Sequence, residues 1–415
     1  MQAPKLEWTT KKASFDIEFE VITPVFGGGV FLDPERPHQK EIDPRTPVRG
    51  ASVRGQLRFW WRATKGCMCD SVQSMLKRET ELWGNASTPG TVSIAISYRP
   101  AVKAGPETYR VEAPKEPGRP WRASPVDQDL AYGAFSTQPQ SKHLHSADPG
   151  IRAPGRLTEL GGKVSIRVQC SRDDEPEMRE TVKAWTTFGA IGGRTRRGFG
   201  AVAAETPLRI VDIEAFLAGQ ARLMNIPSLK GAQFAMLPRV ERSALDALRA
   251  GLRRLRGFRQ GVPIARNPGS GAKSGRSLWP EPDLIRHLTK ISSPAHRSRI
   301  VSVDSMPRAA FGMPIVFHFQ GGGEPGDSEL RPQNLERMAS PLLLRPIRVA
   351  GGYQCMAVIL RGTRAPASLE LRETSGSKRV FPVRSTVSLT EALEIRPLKN
   401  EPDPLQAFLT FFAST

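Results

Sequence analysis

An α+β fold is predicted by three features of this 415-residue chain: short stretches of period-two hydrophobicity, helical stretches between them, and long Pro- and Gly-rich connections. Residues 14–22, Ser-Phe-Asp-Ile-Glu-Phe-Glu-Val-Ile, alternate as a strand with one buried face. Thr23-Pro24 ends that strand, and Gly27-Gly28-Gly29 opens a loop reaching Arg49. Ser52 can cap a helix over residues 52–64, and a second helix fits 71–82. Residues 91–98 read as a strand. Residues 100–154, rich in Pro, Ser and Gly, read as a long insertion with one short strand near 130–135. Residues 163–170 alternate again, 176–188 fit a helix, and 201–211 a strand. Strand, helix, strand, strand, helix, strand is the split βαβ order of a ferredoxin-like module, assigned to residues 1–211.

Residues 212–415 are less regular and predict a second, degraded α/β sandwich. Helices are expected over 213–224 and 404–412, and strands over 232–236, 314–319, 342–349, 356–360 and 369–371. The clearest element is the helix over 242–256. There Leu245, Leu248, Leu252 and Leu255 fall on one face, with Arg249, Arg253 and Arg256 off it. Residues 267–277 form a basic Gly/Ser loop, and 320–328 a glycine-rich turn that carries acids but no arginine.

Composition narrows the partners. The length suits about two or three domains, and 39% hydrophobic residues sustain buried cores. A net charge of +19 points to a polyanion, nucleic acid ahead of an anionic membrane or acidic protein. No run of ~18 apolar residues predicts a transmembrane span. Residues 1–13 lack the apolar core of a signal peptide, so a cytoplasmic protein without membrane contact is expected. The four cysteines make no disulfide framework. Cys67-x-Cys69 lacks zinc spacing, and the six histidines are scattered, so neither metal nor cofactor is expected.

The chemistry concentrates in two places. Residues 189–200 hold five glycines and three arginines, with Phe199 beside them. Glycines let a backbone bend and approach a partner closely, and guanidinium forks suit phosphate. A helix precedes this loop and a strand follows it, which excludes the dinucleotide fingerprint, and the P-loop ending is absent. The predicted RNA contacts here are Gly192, Gly193, Arg194, Arg196, Arg197, Gly198, Phe199 and Gly200.

The second place is the helix over 52–64. Projected at 100° per residue, Val53, Leu57, Trp60 and Thr64 face the sheet, while Arg54, Arg58 and Arg62 form a ridge elsewhere. Like charges four apart repel, and no acid lies between Asp43 and Asp70. The ridge therefore asks for an external anion or a carboxylate from another part of the chain. Arg45 and Arg49 extend the patch. Trp61 and Phe199 are the candidates for base stacking.

Three segments carry a resemblance. They are Ile22-Thr23-Pro24-Val25-Phe26-Gly27-Gly28-Gly29, the run from Val48 to Ala63 containing Arg-Phe-Trp-Trp-Arg, and the loop Gly192 to Gly200. Together they resemble the RAMP superfamily of CRISPR effector proteins, and within it the first subunits of type III-B (Cmr) complexes. Ser277-Leu278-Trp279-Pro280-Glu281, Ala310-Phe311-Gly312-Met313-Pro314-Ile315 and Ala339-Ser340-Pro341-Leu342 are similar to the C-terminal half of that family. The resemblance implies two ferredoxin-like (RRM-related) modules, the second more degraded, with long loop insertions. It further implies a non-catalytic subunit that binds guide (CRISPR) RNA and target RNA near the guide 3′ end in antiviral defence, beside other protein subunits. The second half has no complete glycine–arginine loop of its own.

The competing class is a metal-independent endoribonuclease acting on guide precursor or target RNA. It would need a general base and acid, and His38, near Lys40, is the candidate. Asp33, Glu35, Glu41 and Asp43 in the same loop fit docking to another subunit. A third class is a purely structural cap.

Overall fold

The computed structural model describes residues 12–27, 45–99, 101–116, 118–270, 275–296, 302–362 and 364–414. They form an α+β protein with antiparallel sheets, in two compact units. The first comprises residues 1–232, 239–250 and 344–355, and the second 233–238, 251–343 and 356–415.

The first unit is built on seven elements: β1 (Lys12–Val21), α1 (Gly50–Thr64), α2 (Val72–Trp83), β2 (Ser93–Tyr98), β3 (Lys163–Ser171), α3 (Glu175–Phe188) and β4 (Val202–Ala203). Their sheet has the order β4-β1-β3-β2. β1 and β3 pair antiparallel with Phe15 opposite Val168 and Phe19 opposite Val164, which puts all four on the buried face. α1 and α3 cover that face. α1 buries Val53, Leu57, Trp60 and Thr64, the side that its periodicity picks out, and α3 buries Met178, Val182, Trp185 and Phe188. Phe19 meets Trp185 edge-on at 4.9 Å between ring centroids. Each such buried side chain contributes about 1.5–3 kcal/mol.

Three sequence expectations are corrected in this unit. The insertion after β2 is folded: strand Ala101–Ala104 pairs with Leu157–Gly161, and Tyr109–Glu112 with Arg122–Pro125. The strand expected near 130–135 is instead the helix Gln128–Gly133. The Asp127 carboxylate caps it by accepting from the N–H groups of Asp129 and Leu130. The strand expected over 201–211 is only Val202–Ala203, because a helix starts at Ile210 with Arg209 and Asp212 closing its first turn.

The second unit contains a four-stranded sheet whose order follows the chain: Ile315–Phe317, Ser328–Pro332, Ser368–Glu373 and Val380–Arg384. Its core includes Leu284, Ile285, Met306, Phe317, Leu330 and Leu371. Phe258 lies among Trp279, Phe311 and Phe408 at centroid distances of 5.4–5.9 Å. This meandering order is not the one expected for a ferredoxin-like sheet. A separate three-stranded sheet places Gly352–Arg361 between Ser228–Met236 and Leu342–Val349.

Candidate nucleic-acid interface

The glycine–arginine loop joins α3 to β4, and its shape is fixed by the end of β1. The Thr23 hydroxyl donates to the Gly198 carbonyl at 2.7 Å and accepts from the Ala201 N–H at 2.8 Å. Gly200 N–H bonds the Pro24 carbonyl at 2.9 Å, and Gly193 N–H the Phe26 carbonyl at 2.6 Å. Gly200 has φ +65°, and a Cβ there would lie 2.0 Å from the Ile191 carbonyl oxygen. Gly198, at φ +84°, would press its Cβ to 2.7 Å from Leu248. Both are buried. Their close approach is therefore to the protein's own chain, which corrects their assignment as RNA contacts. Gly192 is exposed and Gly193 half-buried, so these two remain at the surface.

Both ends of the loop are tied by Arg345, a residue absent from the sequence-based site. Its guanidinium is 2% exposed and donates to the carbonyls of Thr186, Thr187 and Val202. Thr186 and Thr187 end α3, where a cation meets the negative pole of the helix. Burial pushes the guanidinium down to about 9, so it stays charged at neutral pH.

Gly192 and Gly193 share a groove of about 350 Å³ with the first two turns of α1, through Ala51, Ser52, Gly55 and Gln56. The N-cap of α1 is Arg49, which makes no side-chain cap, and no acid occupies the first turn. Among the described residues no side chain caps this end of α1, and a helix N-terminus beside the groove favours an anion. Val48 and Arg49 complete this wall. Arg45 and Arg49 also line a neighbouring groove with Ile96 and Tyr98.

The arginine ridge runs beside the groove wall on α1, Arg58 following Ala51 and Arg62 following Gly55 by seven residues, but none of its three arginines lines the groove. Glu79 of α2, 2% exposed, accepts from Arg58 Nε at 2.9 Å and from Arg62 Nε and Nη2 at 2.9 and 2.6 Å. The carboxylate that the ridge lacks in sequence thus comes from the next helix. One carboxylate serves two guanidinium groups whose side chains remain 39% and 41% exposed, so one positive charge stays uncompensated. Arg49 and Arg54 make no ion pair among the described residues.

On the loop, Arg194 (φ 56°) stacks 4.0 Å over the Phe135 ring and reaches the Ser136 hydroxyl at 3.4 Å. Arg196 lies 5.8 Å from the Phe59 ring. Burial pushes both guanidinium groups below their ordinary value. Arg197 is half-buried beside them.

Neither predicted stacking residue is accessible. Trp61 is fully buried and its indole N–H donates to Glu177 at 2.6 Å; Phe199 is fully buried as well. Three aromatics near the loop are partly exposed: Phe26, whose carbonyl accepts from Gly193, Phe59 near Arg196, and Phe135 beneath Arg194. Phe59 follows Ser52 by seven residues and so shares its helix face, while Phe135 is 58% exposed. The i+7 spacing was a usable signal for Phe59. Phe135 carries none, since only the folded insertion delivers it.

His38, Lys40, Asp33, Glu35, Glu41 and Asp43 lie outside the described residues. Among the described residues no group of three His, Cys, Asp or Glu side chains could hold a metal ion, and no helix is long and apolar enough to cross a membrane.

Residues 18–203 match the family model described as the RAMP superfamily. No curated protein matches the chain in sequence. Among solved structures, the chain is similar to apo Cmr1 from Pyrococcus furiosus at 17% identity and TM-score 0.44, covering 88% of this chain and 92% of that one. It is also similar to a chain of the type III-B Cmr-beta complex bound to cognate target RNA, at 9% identity and TM-score 0.41, covering 94% and 99%.

Proposed function

We propose, from the RAMP superfamily region that spans residues 18–203, that this protein is a non-catalytic RNA-binding subunit of a type III-B CRISPR effector. In this reading it works in the cytoplasm beside other subunits, holding guide RNA and its paired target near the guide 3′ end. The observation that carries the reading is the groove where the uncapped N-terminus of α1 faces Gly192 and Gly193, with Arg194 and Arg196 partly desolvated on the adjoining loop. N–H groups and guanidinium forks grip phosphate without reading sequence. Sequence is then left to guide–target pairing, as in guide-directed recognition generally.

The ferredoxin-like reading belongs to the same proposal, as does the division at residue 211. The order β4-β1-β3-β2 supports it for the first module. For the second, Ser228–Met236, Gly352–Arg361 and Leu342–Val349 keep the relative order of strands one, three and two, with no fourth strand in that sheet among the described residues. Such a module is degraded by loss of an edge strand.

Binding of the full chain to a single-stranded RNA across a salt series tests this function. A site using about six phosphates of single-stranded RNA loses roughly 300-fold in affinity between 50 and 200 mM salt. Phe59→Ala and Phe135→Ala should each weaken binding by about 1–3 kcal/mol if a base stacks there, with thermal stability unchanged. Salt-independent binding, or affinity untouched by both substitutions, would contradict the site.

A further inference from the structure

The second unit holds a pocket of about 880 Å³ that shares no residue with the glycine–arginine loop. Four arginines line it: Arg266, Arg276, Arg286 and Arg308. Arg276 Nη2 and Arg286 Nη1 donate to the same oxygen of buried Asp283, at 2.7 and 3.1 Å. Arg286 Nε donates to Glu324 at 2.8 Å, and Arg308 pairs with buried Glu281 at 3.1 Å.

Both lining carboxylates are thus shared. Glu324 also accepts from the Ser293 hydroxyl and from His296 Nδ1, each at 2.7 Å. Burial opposes its ionisation, but the bonds from Ser293, Arg286 and His296 outweigh burial and hold the carboxyl below its ordinary value. Glu324 is therefore a carboxylate at neutral pH. Asp327, which does not line the pocket, is bonded by His318 at 2.5 Å.

Arg266 is different. Its one hydrogen bond among the described residues is from Nη1 to the Gly275 carbonyl at 3.1 Å, and no carboxylate meets it. Among the described residues these four guanidinium groups meet three carboxylates, Asp283, Glu324 and, outside the lining, Glu281, and the surplus charge rests on Arg266. Such a cation in a concave, half-enclosed site calls for an external anion. The remaining lining supplies what a nucleoside would use: Phe319, with Arg286 5.1 Å from its ring, and the amides of Gln260 and Gln320. The volume lies within the roughly 300–1,000 Å³ of small-ligand sites.

We propose that this pocket binds the phosphate monoester of a nucleotide, with Arg266 on the phosphate and the base against Phe319. The phosphate can belong to a free nucleotide or to the end of an RNA, and the chemistry recognised is the same.

Calorimetric titration of the full chain decides the matter with matched pairs of probes: AMP against adenosine, and a hexaribonucleotide carrying a 5′- or 3′-phosphate against the same oligomer with hydroxyl ends. The phosphorylated member of at least one pair should bind about tenfold more tightly. Arg266→Ala should abolish that difference without lowering the melting temperature, and Arg266→Lys should restore part of it. A preference for AMP assigns the pocket to free nucleotides, and a preference confined to the oligomers assigns it to an RNA end. Equal binding of phosphorylated and hydroxyl probes by the unmodified protein would overturn the proposal, as would a phosphate preference that survives Arg266→Ala.

Discussion

Replacing Arg345 by methionine should cost the protein about 3–9 kcal/mol, at roughly 1–3 kcal/mol for each of three buried carbonyls left without a donor. Three carbonyls depend on it, those of Thr186, Thr187 and Val202. Methionine keeps most of the side-chain volume, so the loss reflects the hydrogen bonds and the charge rather than a cavity. The effect should not stop at stability. Thr186 and Thr187 end α3, Val202 begins β4, and the glycine–arginine loop spans the interval. With the guanidinium gone, the ends of that loop lose their tie, and RNA affinity should fall although Arg345 is itself buried beyond reach of RNA. Thermal unfolding, at about 2–4 °C per kcal/mol, reads the first effect. Binding measured well below the lowered midpoint reads the second. A midpoint within a degree of the parent would contradict this account of Arg345.

The largest effect on binding is expected from Arg194, Arg196 and Arg197 replaced together by alanine. Charge-assisted bonds to phosphate are worth about 1.5–3 kcal/mol each before neighbouring groups compensate. Even about 1 kcal/mol apiece gives a loss beyond a hundredfold. Each lost phosphate contact should also flatten the slope of log affinity against log salt by about 0.7 for single-stranded RNA. The fold should persist, because Thr23, Pro24, Phe26 and Arg345 hold the backbone of the loop. Arg194 is the exception in detail: removing it exposes the Phe135 ring that it covers at 4.0 Å. A full loss of affinity with an unchanged salt slope would mean that the arginines act on loop shape and not on phosphate.

Periodicity was enough to read α1 correctly. Val53, Leu57, Trp60 and Thr64 all lie on its buried side, because a helix covering a sheet must present an apolar stripe at 3.6-residue spacing. What sits beyond that stripe was not legible. Trp61 is buried because Glu177, 116 residues away, accepts its indole proton, and the ridge of Arg58 and Arg62 is answered by Glu79 of the next helix. Local charge counting sees neither partner.

The glycine loop was legible as a bend but not in its direction. Gly198 and Gly200 are glycines because a Cβ would strike Leu248 and Ile191, which lie far off and nearby in sequence respectively, and both contacts are internal. Arg345 did leave a trace: it is a lone charge in the apolar run Leu342-Leu343-Leu344-Arg345-Pro346-Ile347, and a cation in a buried strand requires dedicated acceptors. The insertion after β2 is illegible in sequence for a plainer reason. Its strands are four to five residues long, and their exposure does not alternate strongly enough to mark a face.

The central claim is that RNA lies in the groove between the N-terminus of α1 and the glycine–arginine loop. Ultraviolet crosslinking of RNA to the assembled complex, followed by peptide mapping, tests it most directly. The account predicts crosslinked peptides from residues 45–59, 192–197 and the stretch around Phe135, with Phe59 or Phe135 among the modified side chains, and none at buried Trp61 or Phe199. Crosslinks confined to other parts of this chain, with both groove segments unmodified, would contradict it.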